Sequence, residues 1–315
     1  MARLIVRRLI LIIPTLFLVS VLVFSIAEVL PGDVGRTILG PYAPQAAVNA
    51  LDHKLGADKP LLTRYGTWLG HFVTGNWGES QVLQQNVFPL VMNRLFNSLL
   101  LAGLALIIIV PLSIFLGVLA GLHQNSVLDR AITIVTLSLT VIPEFVSGVI
   151  LIVVFAVALK WFPVNAAIQP GQGIGSRVYH LLLPSVPLMF IELGYIGRMA
   201  RAGTVEVLAL PYTRTAILKG LPRRRVVVRH VLRNALVPTV TVIGAQIGWL
   251  VGGLVVVESL FNYPGLGSLM IGSVTNHDVI VLEGAMMVFA TIYMLSNLAA
   301  DVIVALLSPR IRRGG

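Results

Sequence analysis

Cysteine is absent from all 315 residues. That excludes disulfides, thiolate zinc sites and iron–sulfur clusters. Charge is scarce: only 11% of the chain is Asp, Glu, Lys or Arg, with 13 acids against 23 bases. Low-complexity linkers are lacking. So is a convincing internal repeat, which removes support for an inverted-repeat transporter. No Gly-x-x-x-x-Gly-Lys-Ser/Thr run is present, so the chain carries no phosphate loop of its own. Gly171-x-Gly173-x-Gly175 and Gly265-x-Gly267 read as turn glycines, because neither opens a helix after a strand. The six histidines (His53, His71, His123, His180, His230 and His277) never stand four residues apart, so no metal site is indicated. No nucleophile–base arrangement is legible.

Apolar residues fill the space that charge leaves. They make up 57% of the chain, and the mean hydropathy is +0.91. A soluble domain cannot hide that much apolar surface in one core, so the excess must face lipid. A bilayer core needs ~20 apolar residues per helix. Six runs qualify: Leu9–Ala27, Leu95–Leu122, Ala131–Leu159 (interrupted by Pro143-Glu144), His180–Gly197 (with Glu192), Ala235–Val257, and Gly284–Ala300 continuing past Asp301. The first resembles a signal peptide, with Arg3, Arg7 and Arg8 ahead of it. It is long, however, and Pro31-Gly32-Asp33 follows rather than a small-residue cleavage site, so it reads as a retained helix. The expectation is an all-α membrane protein of six transmembrane helices.

The net charge of +10 raises the question of nucleic acid, but the placement of the bases answers to membrane orientation. With the N-terminus cytoplasmic, the inner segments hold 16 Lys and Arg and the outer ones 7. Nine of the inner bases lie between Arg198 and Arg233. Both termini are therefore expected inside. The organisation is then residues 1–30, an N-terminus and helix 1; residues 31–94, an outer loop; and residues 95–315, a five-helix core with an inner loop at 198–233. In the outer loop Leu61, Leu62, Tyr65, Leu69 and Phe72 recur at helical spacing after Pro60, beside Trp68. This predicts an amphipathic helix against the membrane or a partner. Glu258–Glu283 is a second outer stretch, with a turn at Asn262-Tyr263-Pro264-Gly265-Leu266-Gly267.

The inner loop is the most informative segment. Val205, Leu208, Tyr212 and Ala216 would share one helical face. Gly220 then offers a C-cap, and Pro222 suits the first turn of a second helix. In that second helix Val227, Val231 and Ala235 line one face, and Arg225, Arg229 and Arg233 another. Two short helices meeting at a bend can sit in a groove on another protein. A basic loop held at anionic headgroups is the alternative.

The stretch Arg214-Thr215-Ala216-x-x-Lys219-Gly220-Leu221, followed by Arg229-His230-x-Leu232-Arg233-Asn234-Ala235-Leu236, resembles the coupling loop of ABC importer permeases. More specifically, it is similar to the B-type permease subunit of the dipeptide, oligopeptide and nickel uptake family. Arg214-Thr215-Ala216 stands where the general pattern has Glu-Ala-Ala, and His230-Val231-Leu232-Arg233 where it has Ile-x-Leu-Pro. The resemblance extends along the chain: Arg7-Arg8 and Leu30-Pro31-Gly32-Asp33; Leu55-Gly56-x-x-x-Pro60-Leu61; Arg64-Tyr65-x-x-Trp68-Leu69; Gly75-Asn76-Trp77-Gly78-x-Ser80; Val257-Glu258-x-x-Phe261-x-x-Pro264-Gly265-Leu266-Gly267; and Asp301 with Pro309-Arg310-Ile311-Arg312. Ser308 replaces a usual aspartate, and His277-Asp278-Val279 a common Arg-Asp-Pro.

This resemblance implies the type I ABC importer permease fold in a bacterial inner membrane. It implies a second permease subunit completing the path, two cytoplasmic ATPases each holding one bent coupling helix, and an extracytoplasmic solute-binding protein. ATP and magnesium would belong to the ATPases, with no cofactor or metal on this chain. The coupling residues carried over are Arg214, Thr215, Ala216, Lys219, Gly220, Leu221, Arg229 and His230. The cargo class is di- or oligopeptides, with nickel or another solute as a relative's alternative. Another class of reading is a proton-coupled secondary transporter using intramembrane acids.

Acids within or near spans are candidates by default, because burying a charge in lipid is costly. Glu144 follows the helix-breaking Pro143, and Glu192 lies mid-helix 4 with no base nearer in sequence than Arg198. Each could touch a peptide amine or a gate, or simply satisfy an interhelical hydrogen bond. Asp301, near the inner end, could pair with Arg310 or another cytoplasmic base. Gly244, Gly248 and Gly252, like Gly117 and Gly121, follow the small-xxx-small spacing that lets helices approach. They could face another subunit, the path, or a neighbouring helix of this chain.

Overall fold

The computed structural model describes residues 2–29, 42–55, 59–80, 82–167, 171 and 173–307. Several motif residues lie outside the described residues: Pro31-Gly32-Asp33, Arg36, Gly56, Ser308 and Pro309 to Arg312. The same holds for the side chains of Arg3, Arg7 and Lys54.

The elements are α1 (Ala2–Val29), α2 (Gln45–Leu55), α3 (Leu61–Val73), β1 (Glu79–Ser80), β2 (Gln85–Asn86) and α4 (Val87–Leu122). Then come α5 (Val127–Val141), α6 (Glu144–Leu151), α7 (Ile174–Ala209) and α8 (Pro211–Leu218). The last group is α9 (Arg223–Arg225), α10 (Arg233–Leu260), α11 (Leu266–Thr275) and α12 (Val279–Leu307). Two π-helical stretches, Ile152–Ala158 and Val226–Leu232, extend α6 and join α9 to α10.

Among the described residues four helical stretches are long and apolar enough to cross a membrane: Val87–Leu122, Ile174–Ala209, Arg223–Leu260 and Val279–Ile303. The bent pair α5 and α6 with its π-helical extension makes a fifth if counted as one span. Ile10–Ile26 within α1 is a shorter apolar stretch. Internal prolines (Pro14, Pro111, Pro184, Pro187 and Pro238) sit inside these helices, where neighbouring helices can re-satisfy the freed carbonyls.

The chain divides into two compact units. One comprises Met1–Ile5, Ser98–Pro264 and Tyr293–Gly315. Its core gathers Leu101, Ala105, Leu181, Leu188, Leu250, Leu254, Val257, Phe261 and Tyr263. Backbones touch in several places, which explains much of the glycine. A Cβ at Gly117 would overlap the Gly197 carbonyl oxygen, and one at Gly203 the Ala235 carbonyl oxygen. Pro143 ends α5, since the residue before proline avoids the helical region; Ile142 is extended, and the chain turns by 103° into α6.

The other unit comprises Val6–Asn97 and Gly265–Ile292. Its core is Val87, Val91, Leu266, Leu269, Val281, Ala285 and Val288, with Trp77 packed against it. An aromatic ladder runs from Phe17 and Phe24 of α1 through Tyr65, Trp68 and Phe72 of α3 to Trp77 and Phe88. The Tyr65 hydroxyl hydrogen-bonds Ser20 at 2.7 Å, and Arg64 pairs with Glu28 at 2.5 Å.

Four expectations are corrected here. The chain is not purely α: β1 and β2 form a two-stranded antiparallel hairpin, pairing Glu79 with Asn86 and Ser80 with Gln85. The amphipathic helix α3 turns its aromatic face onto α1 of this same chain, leaving Leu61 and Leu62 exposed. The outer stretch after Glu258 is more than a turn, since Leu266–Thr275 forms the apolar helix α11. Of the turn glycines, Gly173 is the N-cap of α7 and Gly175 lies inside it; Gly171, at φ +89°, alone keeps a turn conformation.

Candidate functional site

Residues 198–233, the expected inner loop, fold as a helix–bend–helix. Helix α7 overruns its apolar stretch and ends at Ala209, where the chain becomes extended at Leu210. Thr213 donates from its hydroxyl to the Val207 carbonyl at 2.8 Å, satisfying one of the carbonyls a helix end leaves free. Pro211 then starts α8 at the position where a missing N–H costs nothing. The expected single face of Val205, Leu208, Tyr212 and Ala216 is therefore divided between two helices, because Leu210 breaks the register.

Helix α8 ends in a Schellman motif. Gly220 N–H donates to Ile217 O at 2.9 Å and Leu221 N–H to Ala216 O at 3.4 Å, with Gly220 at φ +74°. Leu221 folds back onto a small apolar core of Val207, Ala216, Val226, Val231 and Ala235. In the second helix Val226, not Val227, joins Val231 and Ala235 in that core. Over Val226–Leu232 the backbone is π-helical, so one turn takes more than four residues and the fifth residue on returns to the same face.

The core places the rest of the loop outward. Arg214, Thr215, Lys219, Gly220 and Arg229 are exposed; Ala216 is buried; Leu221 and His230 are half-buried. Two apolar side chains also face out, Ile217 at 55% and Leu218 at 87% exposure, near the bases of Arg223–Arg225. Asn234 donates to the Tyr212 hydroxyl at 2.9 Å, tying α8 to the start of α10. The result is a stiff knob with a mixed apolar and basic surface.

The intramembrane candidates part company. Glu192 is 2% exposed in α7, with the Gln246 side chain of α10 as its hydrogen-bond partner; its Oε2 has none among the described residues. It therefore stands inside this subunit's helix packing and not on its surface. Glu144 is half-buried at the first turn of α6, and a Cβ at Gly253 of α10 would stand 3.0 Å from its Oε1. Gly244 packs on Ala300, and Gly248 on Asn297 and Tyr293, all within the same chain. Gly252 is exposed with nothing near its Cβ position, so the three glycines do not act as one seam. Gly117 and Gly121 pack on Gly197, Ala200, Arg201 and Thr204 of α7.

Several buried polar pairs escaped the sequence reading. Asp129 accepts two hydrogen bonds from Arg201, from Nε at 2.5 Å and from Nη2 at 2.7 Å. Ser98 donates to the fully buried Glu258 at 2.5 Å, and Ser80 donates to Asp278. Burial, with the nearby charge of Glu258, holds the Tyr263 phenol above its ordinary pKa. Only Asp129 left a signal: Ser126-x-x-Asp129 is a helix-start pattern, and the Ser126 hydroxyl accepts from Asp129 N at 3.1 Å. The other partners are 160 and 198 residues apart in sequence, where no spacing rule reaches.

Two family models cover nearly all of the chain. Residues 113–313 match the binding-protein-dependent transport system inner membrane component, and residues 1–102 match the N-terminal part of such membrane components. The chain belongs to this family. It is similar to the glutathione transport system permease protein GsiC of Escherichia coli (strain K12), with 36% identity over 312 residues and 99% of both chains covered. It is equally similar to the di/tripeptide transport system permease protein DppB of Pseudomonas aeruginosa (strain UCBPP-PA14), at 36% over 341 residues and again 99% of both. Membership makes the chain a permease subunit of the peptide and nickel branch of ABC importers, a transport component of the inner membrane.

Proposed function

We propose that this permease imports di- or oligopeptides as half of an ATP-driven translocation path. A second permease subunit completes the path, and an extracytoplasmic solute-binding protein delivers the cargo. Two cytoplasmic ATPases hold ATP and magnesium, and one of them seats the knob formed by Arg214 to Leu221. The chain crosses the membrane six times with both termini inside. The reading rests above all on the knob, a short helix closed by a left-handed glycine and backed by its own core. Such an element transmits movement without collapsing, and its exposed Ile217 and Leu218 suit a groove on a protein better than water. The peptide class is supported by relatives named for glutathione and for di- and tripeptides. Glu144, half-buried at the break between α5 and α6, is the better candidate for contact with the path; Glu192 is enclosed.

Uptake of labelled di- and tripeptides into vesicles carrying the full importer tests this. Uptake should require ATP and the ATPase subunits, and should survive collapse of the proton gradient. Uptake that follows the gradient and persists without the ATPases would instead mark a secondary transporter.

A further inference from the structure

The coupling knob is carried on the end of α7, and α7 is fastened to α5 at two levels. At the first, Gly194 of α7 lies against Thr136 and Thr140 of α5; a Cβ on Gly194 would overlap the Thr140 hydroxyl and stand 3.0 Å from the Thr136 carbonyl. At the second, Arg201 grips Asp129 through two parallel hydrogen bonds at 2.5 and 2.7 Å. Higher numbers on α7 thus meet lower numbers on α5, so the two helices run antiparallel.

The joint is built with care around Asp129. Its side chain is 3% exposed. Besides Arg201 it accepts from Asn125 N at 2.9 Å, an amide presented by a residue at φ +65°. Its own N–H donates to the Ser126 cap. Behind Arg201 the backbone of α7 is pressed against α4, where a Cβ at Gly121 would come within 3.1 Å of the Arg201 carbonyl oxygen and one at Gly117 within 3.1 Å of its amide nitrogen. Arg201 is therefore held from both sides. It stands eight residues before the end of α7, roughly 12 Å along the axis from the knob. From Asp129, α5 leads to the 103° break at Pro143, beyond which Glu144 abuts Gly253 of α10.

We propose that Asp129 and Arg201 are positioning residues for transport, a forked ionic joint that makes α5 follow α7 when the coupling knob moves. A planar guanidinium bound to both carboxylate oxygens fixes angle as well as distance, which a single hydrogen bond does not. Movement of α7 then reaches the broken α5–α6 span instead of being lost as sliding between helices. This rests on the ATP-driven reading above.

The full importer, reconstituted with its binding protein, provides the test. In Asp129→Asn and in Arg201→Lys, which keeps the charge but not the fork, ATP hydrolysis stimulated by loaded binding protein should stay within about twofold of the parent. Peptide moved per ATP should fall at least fivefold. The double variant Asp129→Asn/Arg201→Gln should fall no further than Arg201→Gln alone. Parallel loss of hydrolysis and uptake, or an unchanged ratio, overturns the joint.

A second measurement needs no transport at all. Because the chain has no cysteine, spin labels can be placed at Val141→Cys and Glu206→Cys, both exposed positions on α5 and α7. The distance distribution should be narrow in the parent and clearly broader in Arg201→Lys. Equal breadth in both overturns the proposal. A parent importer that moves nothing with ATP would count against the function instead, while the label distances still decide the joint.

Discussion

At Gly220 one backbone angle carries the bend of the knob formed by Arg214 to Leu221. A residue with a Cβ at φ +74° meets a cost of roughly 1–2 kcal/mol, although nothing within 4 Å blocks the Cβ itself. Gly220→Ala should therefore lower peptide uptake several-fold with the protein still inserted, and Gly220→Asn should do less harm, because asparagine tolerates the left-handed region. Uptake compared with membrane-protein level checks this; equal damage from both would point away from backbone strain. Gly220 was legible because glycine followed by Leu-Pro after an apolar helical face is a stop signal in itself. Asp129 was only half legible. Its capping pattern shows in the sequence, but its bond to Arg201 spans 72 residues and is made by the antiparallel packing of two helices.

The elements were read with uneven success for a physical reason. Long apolar runs declare themselves, and each of the six falls within a helix or, at Pro143, a bent pair of helices. Short elements depend on what they pack against. The hairpin at Glu79–Asn86 is held by Ser80 donating to Asp278, a contact invisible locally. The π-helical stretch Val226–Leu232 shifted burial from Val227 to Val226, because the small core under the knob, not a 3.6-residue period, chose the inward face. The exposed side of the knob leads to a prediction for the whole element. Leu218→Asp or Ile217→Asp should weaken association with the ATPase at least tenfold, or ~1.4 kcal/mol, since a charge would be buried in the groove. Co-purification of the ATPase with each variant measures it. Retention at the parent's level would remove these two side chains from the interface.

For the whole molecule, the distribution of Lys and Arg makes a claim about orientation. Sixteen against seven bases, nine of them in one loop, predict that both termini and residues 198–233 lie in the cytoplasm. A fluorescent protein fused at the C-terminus should mature and fluoresce, and alkaline phosphatase inserted near Ala166 should be active. The opposite pattern would invert the assignment of the knob to the ATPases.

Membrane residence, the long apolar helices and the existence of a bent basic loop were determined by the sequence alone. Each follows from properties that add along the chain: hydropathy, charge balance and the backbone habits of glycine and proline. Which side chains do what was decided only by tertiary structure. Glu192 and Glu144 look alike as intramembrane acids, yet packing of α7 against α10 encloses one, and the break at Pro143 leaves the other half-open. Gly244, Gly248 and Gly252 share one spacing, yet only the first two meet α12. Helix periodicity places residues on a face; which neighbour, if any, meets that face depends on distant parts of the chain, and local sequence carries no record of it.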